Sequence, residues 1–274
     1  ELIEKGHAYK TQDGDVYFDT QRDSKYLSIS NRVQDQDDTQ SRIEANTAKK
    51  HPSDFALWKH FDEGVTYETP FSCGRPGWHT ECAAMIEEHL AVEGEYAIDI
   101  HGGGADLLFP HHENEAAQHR CAKDQELAKY WMHNGFVNVD EEKMSKSLGN
   151  FFTVREVLKQ FRPEVVRYFI LASHYRSPLN YCDDNLHASK AALDRLYTAL
   201  RDVDIVACDD AGKYGERFNV AMDDDFNTPK AIALLHELAH ETNRIKDKDS
   251  GKAQKLASTL RSEERRVGKE GRSR

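Results

Sequence analysis

The apolar positions of this chain form short β-prone runs near its start and helical stripes over its second half, and the two patterns alternate in between. Ala8-Tyr9-Lys10 and Val16-Tyr17-Phe18 flank Asp13-Gly14, a favoured tight-turn pair, and predict a hairpin. Residues 21–50 are strongly polar and nearly aperiodic, which predicts loop with at most a short helix. Asp54-Phe55-Ala56-Leu57-Trp58-Lys59 then returns the chain toward an apolar core.

From 71 to 140 helix and strand alternate. Cys82, Met85, Ile86, His89 and Leu90 share helical spacing, and Tyr96–Ile100 is short, apolar and partly β-branched, as a buried strand is. Gly102, Gly103 and Gly104 are expected to turn the backbone sharply and let it approach a ligand closely. A helix over Pro110–Cys121 is expected next, with Pro110 in its first turn, then a broken strand over Tyr130–Val139. Such alternation implies parallel strands with ligands at their carboxyl ends.

Beyond that, Thr153-x-x-Glu156 is a capping box opening a helix through Val157, Leu158 and Phe161. Pro163 starts another helix, with Val165, Val166, Phe169 and Ile170 on it. Asp183-Asp184-Asn185 is expected to cap a long helix striped by Leu193, Leu196, Tyr197 and Leu200. Thr228-Pro229 begins a further one with Ile232, Leu235, Ala239, Thr242 and Ile245. These stripes read as core. Residues 252–261 still read as helix; over 262–274 apolar periodicity ceases, and an unstructured, non-native tail is expected.

Candidate chemistry lies in two dense stretches. The first reads Gly-Arg-Pro-Gly-Trp-His-Thr-Glu-Cys at 74–82 and Asp-Ile-His-Gly-Gly-Gly-Ala-Asp-Leu-Leu-Phe-Pro-His-His-Glu-Asn-Glu at 99–115. His111 and Glu115, four apart on a helix, stack on one face and suit a divalent metal, with Cys82 as a thiolate to complete the set. A core cysteine and a helix-surface contact fit the same spacings, and spacing does not decide between His111 and His112. The second stretch is Lys143-Met144-Ser145-Lys146-Ser147-Leu148-Gly149-Asn150. Its two ammonium groups can meet a triphosphate and neutralise charge that builds up during reaction.

The lysine string resembles the signature of class I aminoacyl-tRNA synthetases. The full set of motifs, in this order, is similar to the cysteinyl-tRNA synthetase family. The likeness reaches back to Pro52-x-Asp54-Phe55-x-Leu57-Trp58-Lys59 and forward to Asp223-Asp224-Asp225-Phe226-Asn227-Thr228-Pro229, so it covers residue 1 to about residue 261. It implies an α/β fold: the second half of a class I Rossmann-like catalytic domain with a connective-peptide insertion, then stem-contact helices and an α-helical bundle. The implied boundaries are 1–70 for part of the insertion, 71–140 for the Rossmann half, 141–185 for the lysine loop and stem-contact region, and 186–261 for part of the tRNA-contacting bundle.

The resemblance also implies a site. Zinc would be held by Cys82, His111 and Glu115, with a fourth ligand, a cysteine, upstream of this chain. A pocket selecting on shape separates cysteine from serine poorly, whereas zinc prefers sulfur and would take the substrate thiolate directly. Trp78 would line the amino-acid pocket. Lys146 and Lys143 would be catalytic, and Lys146, His101, Gly103 and Asp106 would contact ATP, accompanied by Mg2+. The implied activity is ATP-dependent formation of cysteinyl-adenylate and transfer to tRNA(Cys), in a cytoplasmic monomer without membrane association. Cys73 and Thr80 depart from the family pattern, and Cys73 is rejected as a ligand.

Class I enzymes carry a second signature, His-x-Gly-His, and no such tetrapeptide occurs here. The chain is therefore expected to be a fragment that does not itself form the adenylate. Two rival readings remain: a ligase joining cysteine to an amino-sugar through the same adenylate, and a non-catalytic, zinc-organised module of synthetase descent.

Composition narrows the picture further. With 38% apolar and 31% charged residues in 274, the chain reads as a soluble polar protein, and no run approaches transmembrane length. Five cysteines (73, 82, 121, 182 and 208) at no paired spacing fit reduced thiols. A net charge of −11 argues against broad nonspecific nucleic-acid affinity, although a local basic face can still hold tRNA.

Overall fold

The expected hairpin forms from β1 (Ala8–Lys10) and β2 (Val16–Phe18), antiparallel with Ala8 opposite Phe18 and Lys10 opposite Val16. The computed structural model describes residues 1–33, 48–144, 153–205 and 212–266, without the side chains of Lys143 and 264–266. The chain divides into two compact units, Glu1–His133 and Asn134–Arg274.

In the first unit β3 (Phe55–His60), β4 (Tyr67–Glu68) and β5 (Cys73–Pro76) extend the hairpin into a five-stranded antiparallel sheet of order β1-β2-β3-β5-β4. Asp54, 1% exposed, secures its entry to the core. Its carboxylate accepts from the Thr20 N–H and hydroxyl, each at 3.0 Å, from the Tyr9 hydroxyl at 2.7 Å and from the His51 N–H at 3.0 Å. A buried charge is tolerated only when so fully bonded.

Then come α1 (Trp78–His89), β6 (Tyr96–Gly104), α2 (Glu113–Lys123) and β7 (Glu126–Asn134). The Glu126 N–H donates to the Glu95 carbonyl at 3.1 Å, and Gly102 lies beside Met132 further along. The two strands therefore run parallel, as expected. Helix α2 is walled in on both sides: Ala117 and Cys121 pack with Val16, Phe18, Phe55 and Leu57, whereas Ala116 packs with Ile86, Ala97 and Leu127.

Several expectations need correction here. The three glycines do not turn the chain but continue β6, because the next strand pairs along them. Helix α2 begins at Glu113 rather than Pro110; a wide turn over Leu108–His112, with Phe109 extended inside it, comes first. The broken strand is two strands in different sheets.

In the second unit β8 (Val137–Val139), β9 (Glu142–Lys143) and β10 (Leu179–Tyr181) form a small sheet in which β10 is parallel and β9 antiparallel to β8. Helices α3 (Val154–Gln160) and α4 (Pro163–Leu171) follow, the first opened by the expected capping box. Val157, Phe161, Val165 and Phe169 pack with Leu186 and Leu193 of α5 (Asp183–Leu200). The acids at its start do not cap α5; Cys182 holds the cap position, and Asp183 and Asp184 lie in the first turn, where the helix dipole favours negative charge.

Helices α6 (Gly212–Asp223), α7 (Thr228–Ile245) and α8 (Ser250–Arg266) complete the unit. Leu196, Phe218, Leu235, Leu238 and Leu260 form their shared core. Helix α8 runs to Arg266, past the end expected at 261; it carries Glu263 into a buried position, so packing extends it where apolar periodicity stops. The rest of that expected tail, 267–274, lies outside the described residues. No described helix is long and apolar enough to cross a membrane.

Candidate metal and substrate site

Two helices of the first unit meet at the site. Leaving β5, the chain enters α1 at Gly77, which places Trp78 and Cys82 one turn apart on one face. The turn into α2 presents His111, and Glu115 follows one turn later. One donor atom each from Cys82, His111 and Glu115 lie within 4.8 Å of one another. A thiol, an imidazole and a carboxylate so gathered are the donor types zinc takes, and three protein ligands leave a position for another group.

Glu115 is 1% exposed and serves two histidines. Its Oε1 is 2.7 Å from His111 Nε2, and its Oε2 is 2.7 Å from His101 Nε2. His101, His112 and Glu115 thereby make a second group with donors within 4.8 Å. An outer ring supports both. His79 Nδ1 lies 2.8 Å from His111 Nδ1, and His133 Nε2 lies 2.8 Å from His112 Nδ1. Partners of this kind fix the tautomer and orientation of a ligating imidazole. The Trp78 ring sits 4.5 Å from the His111 ring and is 62% exposed, so much of it is open to a ligand.

Gly103 shows why β6 is glycine-rich. A Cβ there would meet His112 Cε1 at 2.8 Å, so the strand can lie against that ring only without a side chain. The close approach foreseen for the glycines is thus to a protein imidazole.

Electrostatics favour the charged form of Glu115 and the neutral forms of His79 and His112. Burial opposes ionisation of Glu115, but the His101 hydrogen bond and the neighbouring histidines overcome it and hold the carboxyl below its ordinary range. Burial, then His111, brings His79 down to about 4; burial, then His101, brings His112 down to about 4. Burial and the Glu115 charge push the Cys82 thiol up. A divalent cation would supply the positive charge this thiol lacks, since coordination deprotonates it.

The structure brings Cys82, His111, Glu115, Trp78, His101 and Gly103 together. Asp106 is exposed just past β6, beside Gly104. Lys143 ends β9 in the second unit, and Lys146 lies outside the described residues. Sequence reasoning missed His79 and His133 and weighed His112 only as the alternative to His111 for the metal. A usable signal existed, since seven of the fourteen histidines fall within 79–133.

The chain belongs to the class I tRNA synthetases: the family described as "tRNA synthetases class I (C) catalytic domain" matches residues 1–191, and the DALR domain matches 217–264. More particularly, it is 50% identical over 258 residues to the cysteine–tRNA ligase of Sulfurimonas denitrificans, covering 93% of this chain and 55% of that protein. The same-named proteins of Shewanella baltica strain OS155 and Escherichia coli O1:K1 are 51% and 52% identical, each over 95% of this chain and 56% of their own length. The chain thus spans about half the length of the curated relatives it matches.

Among solved structures, one described as an arginyl-tRNA synthetase from Campylobacter jejuni aligns over 97% of this chain and 57% of its own, with a TM-score of 0.60 and 14% identity. The LeuRS of Agrobacterium radiobacter K84 aligns over 62% of this chain and 25% of its own, with a TM-score of 0.50 and 22% identity. At these identities the likeness concerns fold alone.

Proposed function

We propose that this chain carries the metal-binding and lysine-bearing portion of a cysteine–tRNA ligase, which forms cysteinyl-adenylate from cysteine and ATP and transfers the cysteinyl group to tRNA(Cys). The observation that carries this reading is the convergence of Cys82, His111 and Glu115 beneath an exposed Trp78. Bound there, zinc would supply a soft Lewis-acid centre for the substrate thiolate, a bond that serine cannot match.

The chain's own residues do the rest. Glu115, ionised and hydrogen-bonded, keeps an oxygen facing His111 and Cys82, and His79 orients the His111 ring from behind. Trp78 would cover the amino-acid side chain with its open face. Lys146 and Lys143 would neutralise the triphosphate with Mg2+, while His101, Gly103 and Asp106 would border the nucleotide. Since His101 is bonded to Glu115, it would join the nucleotide side to the metal side.

The DALR match supports tRNA over an amino-sugar as the acceptor. A cytoplasmic monomer is the setting that fits this activity. The test is cysteine-dependent charging of tRNA(Cys) by the protein expressed from the full reading frame, with serine as competitor. Cysteine should be loaded selectively, and Cys82→Ser should abolish both metal content and loading. Equal loading of serine, or purified protein free of transition metal, would end this reading.

A further inference from the structure

The hairpin that leads to Lys143 is built on a strained turn. β8 and β9 are joined by Asp140 and Glu141, whose φ angles of 48° and 69° are both left-handed. A two-residue hairpin turn of this kind, type I′, needs positive φ at both central positions, which asparagine and glycine adopt readily. Aspartate and glutamate stay there because neighbours hold them. Those neighbours lie on β10. The Asp140 N–H donates to the Tyr181 carbonyl at 3.1 Å, and the Glu141 N–H donates to Asn180 Oδ1 at 2.7 Å.

The segment leading into β10 is anchored in its turn. The Gly135 N–H donates to the Tyr175 carbonyl at 2.7 Å, and a Cβ on Gly135 would lie 2.2 Å from the Ser177 carbonyl oxygen, so only glycine permits this crossing. The Tyr175 hydroxyl donates to Asp225 Oδ1 at 2.7 Å, and Arg176 donates to both carboxylate oxygens, at 2.5 and 3.2 Å. Asp225 and Phe226 sit between α6 and α7 with φ of 53° and 55°, a second left-handed pair. They belong to the Asp-Asp-Asp-Phe-Asn-Thr-Pro element, to which the proposed chemistry assigns no task.

We infer that Asn180 and Asp225 are positioning residues for the strand that ends in Lys143. Asn180 holds the hairpin turn through one accepted hydrogen bond. Asp225, through Tyr175 and Arg176, holds the segment that delivers Asn180. The proposed ligase reading enters only in the task given to Lys143.

Two experiments test this. In this chain, Asn180→Ala and Asp225→Asn should each speed amide hydrogen exchange at Lys143 and Met144, whose N–H donates to the Val137 carbonyl, and leave α7 amides unchanged. Asparagine tolerates the left-handed backbone at 225, so that variant removes charge without distorting the corner. Asn180→Asp keeps an acceptor for Glu141 and should restore slow exchange. In the protein from the full reading frame, Asn180→Ala should lower kcat of cysteine-dependent ATP–pyrophosphate exchange on the order of tenfold or more, with KM for cysteine unchanged. Asn180→Asp should recover it. Unaltered amide exchange in both variants, or a kcat loss that Asn180→Asp fails to rescue, overturns the inference. A wild-type protein without cysteine-dependent activity defeats the ligase proposal instead, and the amide-exchange result still decides the positioning claim.

Discussion

His79 Nδ1 lies 2.8 Å from His111 Nδ1, while His111 Nε2 faces Glu115 at 2.7 Å, so the single imidazole of His111 ties α1 to α2. If His111 ligates a metal, His79 is its outer partner. His79→Ala should then weaken zinc binding by about 10–100-fold without removing a ligand. Competition with a chromophoric chelator measures this; unchanged affinity would separate His79 from the metal.

His79 and His112 together give the metal-free chain a pH dependence. His79 and His112 have folded pKa values near 4 against an ordinary 6.5, so between those values the unfolded state binds more protons. Stability should therefore fall as pH drops from about 6.5 toward 4. Urea titrations across this range should show the slope, and His79→Gln should flatten it.

Asp54 gathers four donors in a buried setting. Asp54→Ala leaves the Thr20 and His51 N–H groups without their acceptor and should destabilise the first unit by roughly 2–4 kcal/mol. All three tryptophans, Trp58, Trp78 and Trp131, lie in that unit, so their fluorescence follows its urea unfolding.

Leu238, 1% exposed in the core shared by α5 to α8, offers the matching test in the second unit. Leu238→Ala should cost about 2–5 kcal/mol through lost burial and a residual cavity. Far-UV circular dichroism during urea unfolding reads that loss.

Much of the fold is legible in short stretches. The hairpin, the capping box at Thr153 and Glu156, and the α7 stripe each state their structure within a few residues, because turn, cap and periodicity are local. Helix α2 is not legible in this way. Its first residues, Glu113, Asn114 and Glu115, are polar yet buried, and nothing local says that a helix so hydrophilic runs between two apolar layers. The glycines of β6 were misjudged for a related reason: their freedom suggests a turn, but β7 pairs along them and His112 needs the space.

The order of motifs and the resemblance they carry follow from the chain's residues alone, and that resemblance, not spacing, singles out Cys82, His111 and Glu115; helical spacing by itself only puts a histidine and Glu115 on one face. That Glu115 is shared between His111 and His101, with His79 and His133 behind, was settled only by packing α1, α2, β6 and β7 together. Residues from 79 to 133 become neighbours there through burial, and burial depends on the whole fold rather than on spacing.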